Sequence, residues 1–176
     1  GTCEADETYV GGSPRHPYMV DGKIKRGRDP NKPKTPVFAV VQRGGDVRAS
    51  VMTSVTAANI SAVLLSNMER TANLMTDEST VYTKVGRPFA SHNTVNHRSK
   101  EYVNKENPTI HSNTAENFFS RVKRQLTGTY HAVSPEHLFR YVSHAEFLYN
   151  SRTLNDGERV VSLIRKADGK RLMYHE

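Results

Sequence analysis

The sequence predicts an α/β fold built on a mixed β-sheet, and three observations support this. Residues 37–41 and 47–52 flank a turn with two glycines, a pattern typical of an antiparallel hairpin. Residues 57–68 carry apolar side chains at helical spacing, and the mainly apolar segment 73–77 reads as a strand. Because a helix separates the hairpin from this last strand, the strand can return beside the first strand of the chain, which gives a mixed sheet.

Composition favours one domain with an anionic partner. The chain has 176 residues, a formal net charge of +7 and a pI near 9.6. No run approaches the roughly 18 apolar residues of a membrane span, so we expect nucleic acid and no membrane as the partner. The single Cys3 excludes an internal disulfide framework and a cysteine-based zinc cluster within these residues. The first residues do not resemble a signal peptide, and we expect a cytoplasmic location.

The predicted first strand, residues 2–10, contains the three acids Glu4, Asp6 and Glu7. Acids are unfavourable in strands, and taken alone they indicate an exposed edge strand with solvated carboxylates. Strand alternation places Glu4 and Asp6 on one face and Glu7 on the other, so at most two of the acids can share a site.

Residues 11–35 are predicted to form a long basic loop that is mobile without a partner. Gly11-Gly12, four prolines and seven basic residues are concentrated here. A solvated linker would explain the composition, but the density of charge favours contact with DNA phosphates. The candidate DNA-binding residues of this loop are Lys23, Lys25, Arg26 and Arg28.

The middle of the chain supplies the crossover and a second acid. Thr56 is a good cap for a helix that reaches Met68, and the strand after it, residues 73–77, ends in Asp77. The predicted topology places this strand beside the first, so Asp6 and Asp77 lie on neighbouring strands. Residues 91–98 read as a polar strand or loop, and the spacing of His92 and His97 fits hydrogen-bonding histidines better than a pair of metal ligands.

A helix is predicted to begin at Asn113, with Asn113 as the N-cap and Glu116 in a capping-box-like position. Its apolar residues fall on one arc and face the core. Glu116 and Lys123 are two turns apart at the edge of that arc, which places a carboxylate and an ammonium in line where core meets solvent. An ordinary amphipathic helix would show the same pattern.

The C-terminal part is predicted to be helical. Ser134 and Pro135 start a helix that runs to about Asn150, residues 155–157 break the chain, and residues 160–167 form a last short helix. The predicted division is a domain at 1–156, which includes the basic loop, and a tail or short helix at 157–176.

Asp6, Asp77 and Glu116 are the residues that point to chemistry. Three carboxylates in one place repel each other unless a cation lies among them, and hard oxygen ligands suit Mg²⁺ or Mn²⁺. Two such ions can activate an attacking oxygen and stabilise the leaving oxygen of a phosphodiester displacement.

A set of short motifs in a fixed order carries a family resemblance. The motifs are EADETYVGG (residues 4–12), TDE (76–78), VNH (95–97), EYV (101–103), NTAENFFS (113–120), KR (123–124) and GTYH (128–131). Together they resemble the catalytic domain of ISXO-type bacterial insertion-sequence transposases of the DDE class. The resemblance implies an RNase H-like, integrase-type fold: a five-stranded mixed sheet with helices on both faces.

The resemblance also implies a function. It implies an acidic triad that binds two Mg²⁺ or Mn²⁺ ions, cleavage of transposon ends, transfer of the strand into target DNA, and a homodimer or higher oligomer on DNA in the bacterial nucleoid. Lys123 and Arg124 join the DNA-binding candidates. The third metal ligand is either Glu116 or Asn113, because Asn113 has the spacing after Asp77 that is usual in the broader class.

Besides the choice of third ligand, a second departure from the family pattern concerns the domains that accompany the catalytic one. Family members usually carry an N-terminal zinc ribbon and helix-turn-helix, which have no counterpart in these 176 residues, so we do not expect sequence-specific recognition of transposon ends from this segment. The alternative functions are an RNase H-like nuclease or resolvase without strand transfer, and a domesticated DNA-binding module without catalysis.

Overall fold

A mixed five-stranded sheet organises the residues that the computed structural model describes, which are 1–12, 18–25, 33–95 and 107–170. The strands are β1 (Thr2–Gly11), β2 (Tyr18–Val20), β3 (Lys23–Lys25), β4 (Lys34–Gln42), β5 (Val47–Val51), β6 (Asn73–Asp77) and β7 (Ser91–Val95). The helices are α1 (Ala57–Asn67), α2 (Tyr82–Val85), α3 (Asn113–Gly128), α4 (Leu138–Asn150) and α5 (Asp156–Ala167), with a 3₁₀ turn at Pro135–His137.

The strand order β5-β4-β1-β6-β7 confirms the predicted topology. β1 pairs antiparallel with β4, and β4 with β5, whereas β1 pairs parallel with β6, and β6 with β7. β1 is therefore the central strand. The expectation of an exposed edge strand with solvated acids is wrong, because β4 and β6 flank β1 and the side chain of Glu4 is fully buried.

Helices cover both faces of the sheet, as predicted. On one face, Ala5, Phe38 and Leu74 of the strands pack with Ile60 and Leu64 of α1. On the other face, the alternate residues of β4 and β5 pack against α3 and α4. The main members of this second core are Val37, Ala39, Val41, Val47, Phe118, Phe119, Val122, Leu138 and Val142. The face beneath α3 is the one that also carries the site.

The segment predicted as a long basic loop contains a hairpin. Among its described residues, β2 and β3 form a two-stranded antiparallel sheet, joined by Asp21 and Gly22 at φ 50° and 73°. Positive φ at both central residues is the geometry of a two-residue hairpin turn, for which Asp-Gly is a favoured sequence. The sequence therefore held a hairpin signal that the charge and proline content obscured.

Two helix starts differ from the prediction. The N-cap of α3 is Ser112, not Asn113, and the carbonyl of Ser112 accepts the first helical hydrogen bond, from Glu116 N at 3.1 Å. The predicted break at residues 155–157 is in fact the start of α5: Asn155 Oδ1 accepts from Glu158 N, and Glu158 Oε2 accepts from Asn155 N. A capping box extends this helix four residues earlier than predicted.

In the described part of the chain, no helix combines the length and apolarity needed to cross a bilayer.

Candidate active site

The register of the sheet places Asp6 and Asp77 at the same level of neighbouring parallel strands. The last paired residues of β1 and β6 are Glu4 and Met75, and each acid lies two residues further along its strand. Because side chains alternate along a strand, Asp6 shares the face of Glu4, and Asp77 shares the face of Met75. This is the sheet face that α3 covers, since Asp6 pairs with Ala39 of the α3 core.

Glu116 approaches Asp6 from the first turn of α3. It lines a cleft of about 660 Å³ together with Asp6 of β1, whereas Asp77 does not line this cleft. The other lining residues are Glu7, Thr8, Phe119, Ser120, Lys123, Arg124 and Thr127. Lys123 follows Glu116 by two turns, so the predicted line of a carboxylate and an ammonium runs along the wall of this cleft.

The electrostatics of Asp6 reflect its crowded surroundings. Burial raises the pKa of Asp6 to about 7, and repulsion by the carboxylates of Glu7, Asp77 and Glu116 contributes to the rise. The backbone N–H of Glu7, which donates to Asp6 Oδ1 at 2.8 Å, opposes it. Asp6 therefore lies within electrostatic range of Asp77, on the strand that the topology predicted as its neighbour, and of Glu116.

The two strand acids near Asp6 have different partners. Burial raises the pKa of Glu7, and a hydrogen bond from the hydroxyl of the fully buried Tyr82 to Glu7 Oε2 opposes that rise. Asp77 is half-buried, and its Oδ1 accepts from the backbone N–H of Ser79 at 3.0 Å. The hydrogen bond to Ser79 fixes the turn that follows β6 and leaves Asp77 at the carboxyl end of the strand.

The donor set matches a hard divalent cation in chemistry, because all three candidate ligands are carboxylates. Within the described ranges, no group of three or more His, Cys, Asp and Glu side chains is arranged to hold a metal ion as it stands. Binding through Asp6, Asp77 and Glu116 would therefore involve rotation of side chains. His92 is engaged elsewhere, since its Nε2 lies 2.9 Å from Thr76 Oγ1 and burial lowers its pKa; His97 lies outside the described residues.

The two candidates for the third ligand occupy different environments. Glu116 is half-buried and accepts a long hydrogen bond of 3.4 Å from Ser112 Oγ. Asn113 is exposed at the first position of α3 and does not line the cleft of Asp6.

The basic candidates fall into two groups. Lys123 and Arg124 are exposed on α3 and line the acidic cleft. Lys23 and Lys25 are exposed on β3, where their separation by one residue places both on the same face of the hairpin. Arg26 and Arg28, the other predicted DNA contacts, lie outside the described residues.

Sequence reasoning missed Glu4. Its side chain is fully buried and accepts hydrogen bonds from the backbone N–H groups of Thr114 and Ala115 at 2.7 and 3.1 Å. This explains why neither Ser112 nor Asn113 is needed as a side-chain cap. The signal that the sequence did offer was the position of Glu4 on the same strand face as Asp6.

Comparison with protein families decides the identity. The family model of the ISXO2-like transposase domain matches residues 1–150. The chain belongs to this family. The fold is accordingly the α/β, RNase H-like fold of an insertion-sequence DDE transposase domain, and the resemblance seen in the sequence is confirmed. A search of curated proteins found no significant match.

Membership of the ISXO2-like transposase family has general functional consequences. A transposase domain acts on DNA, and DDE transposases generally use divalent metal ions. The match ends at the last residue of α4, so α5 lies beyond it.

Proposed function

We propose that this chain is a catalytic DDE transposase domain that cleaves DNA at the ends of an insertion sequence and transfers the freed strand into target DNA. The observation that supports this best is that Asp6 and Glu116 line one cleft whose wall also carries Lys123 and Arg124, with Asp77 at the level of Asp6 on the neighbouring strand. Carboxylates beside exposed cations suit a site for metal ions and phosphate.

In this proposal Asp6, Asp77 and Glu116 hold Mg²⁺ or Mn²⁺, and two ions are expected. When bound, the metal would supply activation of the attacking oxygen, from water or a 3′-hydroxyl, and stabilisation of the leaving oxygen of the phosphodiester. β1 and β6 fix Asp6 and Asp77, while α3 brings Glu116 from above the sheet. Lys123 holds a DNA phosphate as a point charge on a flexible stem, two turns along α3 from Glu116.

We assign the third ligand to Glu116. Glu116 lines the cleft with Asp6 and raises the pKa of Asp6, whereas Asn113 is exposed and outside the cleft lining. A carboxylate also binds Mg²⁺ more strongly than an amide oxygen does.

DNA binding is assigned to two basic surfaces. Lys123 and Arg124 contact the strand that enters the cleft, and the hairpin residues Lys23 and Lys25 contact phosphates further from the reacting bond. Arg26 and Arg28, which lie outside the described residues, stay DNA-binding candidates from the sequence alone. A homodimer or higher oligomer would bring two sites to the two transposon ends.

Metal-dependent cleavage of a supercoiled plasmid tests the proposal. We expect nicking with Mg²⁺ or Mn²⁺ that is abolished by Asp77→Asn and unchanged by Asp46→Asn, a matched change at an exposed turn outside the cleft. A second substrate with pre-cut ends separates the alternatives. Strand-transfer products support a transposase, hydrolysis without joining indicates a nuclease or resolvase, and DNA binding without either product indicates a domesticated binding module.

A further inference from the structure

The buried Glu4 carboxylate joins the central strand to the helix that carries Glu116. Its Oε1 accepts from Arg43 Nε at 2.6 Å and from Thr114 Oγ1 at 2.9 Å, and its Oε2 accepts from the N–H groups of Thr114 and Ala115. The free N–H groups at a helix N-terminus favour a negative charge, so this carboxylate acts as the cap of α3 although it lies more than a hundred residues earlier in the chain.

Arg43 completes the connection. It lies directly after β4, and its guanidinium donates to the backbone carbonyls of Thr109 and His111 at 2.6 and 2.8 Å. Its third nitrogen binds Glu4. One planar group therefore fixes both the carboxylate and the segment that leads into α3, which a lysine could not do because it lacks the rigid fork.

His111 lies close to this pair without a hydrogen bond to it. His111 Nδ1 is 3.1 Å from Glu4 Oε1, but this buried atom has no hydrogen-bond partner among the described residues. The imidazole therefore packs beside the carboxylate, and the hydrogen bonds of Glu4 come from Arg43, Thr114 and Ala115.

The positions of these contacts relate them to the site. Glu4 precedes Asp6 by two residues on the same face of β1, and it binds the N–H of Ala115, the residue before Glu116. We infer that Glu4, held by Arg43, is a positioning residue that sets the separation of Asp6 and Glu116 across the cleft. This inference rests on the proposed function in one respect: the space between Asp6 and Glu116 is taken to be a metal site.

A carboxylate elsewhere in the chain offers a matched control. Glu146 of α4 binds Arg48 at 2.8 Å and accepts from the N–H of Ala49 at 2.9 Å, so it also joins a helix to the sheet through an arginine and a backbone N–H. It does not line the cleft. Glu146→Gln therefore reports what the loss of such a connection does to folding alone.

The test compares Glu4→Gln with Glu146→Gln in two measurements. The first is the Mn²⁺ concentration that gives half-maximal plasmid cleavage, which a purely structural loss would not shift. We expect Glu4→Gln to raise it at least tenfold, with activity partly restored at high Mn²⁺, and Glu146→Gln to leave it unchanged. Thr114→Val removes one hydroxyl contact to Glu4 and keeps the backbone hydrogen bonds. It should raise the half-maximal Mn²⁺ concentration by a smaller factor, and it replaces Glu4→Gln in the test if Glu4→Gln does not fold.

The second measurement is hydrogen exchange of the backbone amides in the first turn of α3. We expect faster exchange there in Glu4→Gln and no local change in Glu146→Gln. An unshifted Mn²⁺ requirement in a folded, active Glu4 variant, or an equal shift in Glu146→Gln, would overturn the inference.

Failure of the proposed function gives a different result. If the wild-type protein neither responds to Mn²⁺ nor cleaves DNA, the assignment of a metal site is wrong. Hydrogen exchange in the first turn of α3 then decides by itself whether Glu4 is a positioning residue. Faster exchange in Glu4→Gln then supports the role of Glu4 in fixing α3, and unchanged exchange refutes it.

Discussion

Replacement of Asp6 by Asn should stabilise the metal-free protein. Burial and neighbouring carboxylates raise the pKa of Asp6 from 3.8 to about 7, so the folded state holds this proton more tightly than the unfolded chain does. The stability of the metal-free protein therefore falls as pH rises through the window from 3.8 to about 7, and the full cost is present above it. An amide at position 6 carries no charge and avoids that cost.

The size of the effect follows from the shift. At about 1.4 kcal/mol per pKa unit, the shift sets a ceiling of about 4 kcal/mol at pH 8, and solvent at the partly exposed carboxyl reduces the expected gain to about 2 kcal/mol. For a chain of this size, such a gain raises Tm by about 4 to 8 °C. Urea unfolding in EDTA, followed by circular dichroism at pH 8 and pH 4, measures the difference.

The control and the metal response make the result specific. Asp46→Asn, at an exposed turn, should show no gain at pH 8. Excess Mg²⁺ should raise the Tm of the wild type more than that of Asp6→Asn, since only the wild type keeps the full ligand set. An Asp6→Asn variant that is less stable than the wild type at pH 8 in EDTA would contradict the claim that burial and neighbouring carboxylates destabilise the charged form of Asp6.

Three further predictions concern other parts of the chain. Glu116→Gln should abolish metal-dependent cleavage while DNA binding persists. Asn113→Ala should stay active, and its free energy of unfolding should change by less than about 0.5 kcal/mol because Glu4 supplies the cap of α3. An active Glu116→Gln together with an inactive Asn113→Ala would assign the third ligand to Asn113. Replacing Lys23 and Lys25 by Ala should weaken binding to all DNA sequences and reduce the slope of log K against log salt by about 1 to 2, and an unchanged slope would make the hairpin a spacer. Asn155→Ala should cost about 1 kcal/mol in thermal unfolding through loss of the α5 capping box, and an unchanged Tm would show that α5 adds little to the folded state.

The sequence was sufficient to predict the sheet because its patterns are local and strong. The apolar run of β4 and the glycine turn after it indicate a hairpin, and the crossover through α1 places β6 beside β1. Asp6 and Asp77 could be brought together by this topology alone, since their positions depend on strand order and alternation and not on side-chain hydrogen bonds between residues distant in sequence.

The missing parts of the site depend on contacts that are distant in sequence. Glu4 seemed unfavourable in a strand because its partners, Arg43 and Thr114, are 39 and 110 residues away. The helix start was placed one residue late for the same reason, since the preference of Asn113 for the N-cap is a local signal and Glu4 makes such a cap unnecessary. Asp21-Gly22 was a local hairpin signal, but the surrounding charge and prolines favoured a loop.

Manganese in a crystal of this protein would test the central claim most directly. After a Mn²⁺ soak, anomalous scattering should show at least one ion within roughly 2.5 Å of carboxylate oxygens of Asp6 and Asp77, with Glu116 turned toward the same position. Loss of that peak in Asp77→Asn, with the fold unchanged, would support the assignment. Anomalous density that lies elsewhere, in a protein that still cleaves DNA with Mn²⁺, would contradict it.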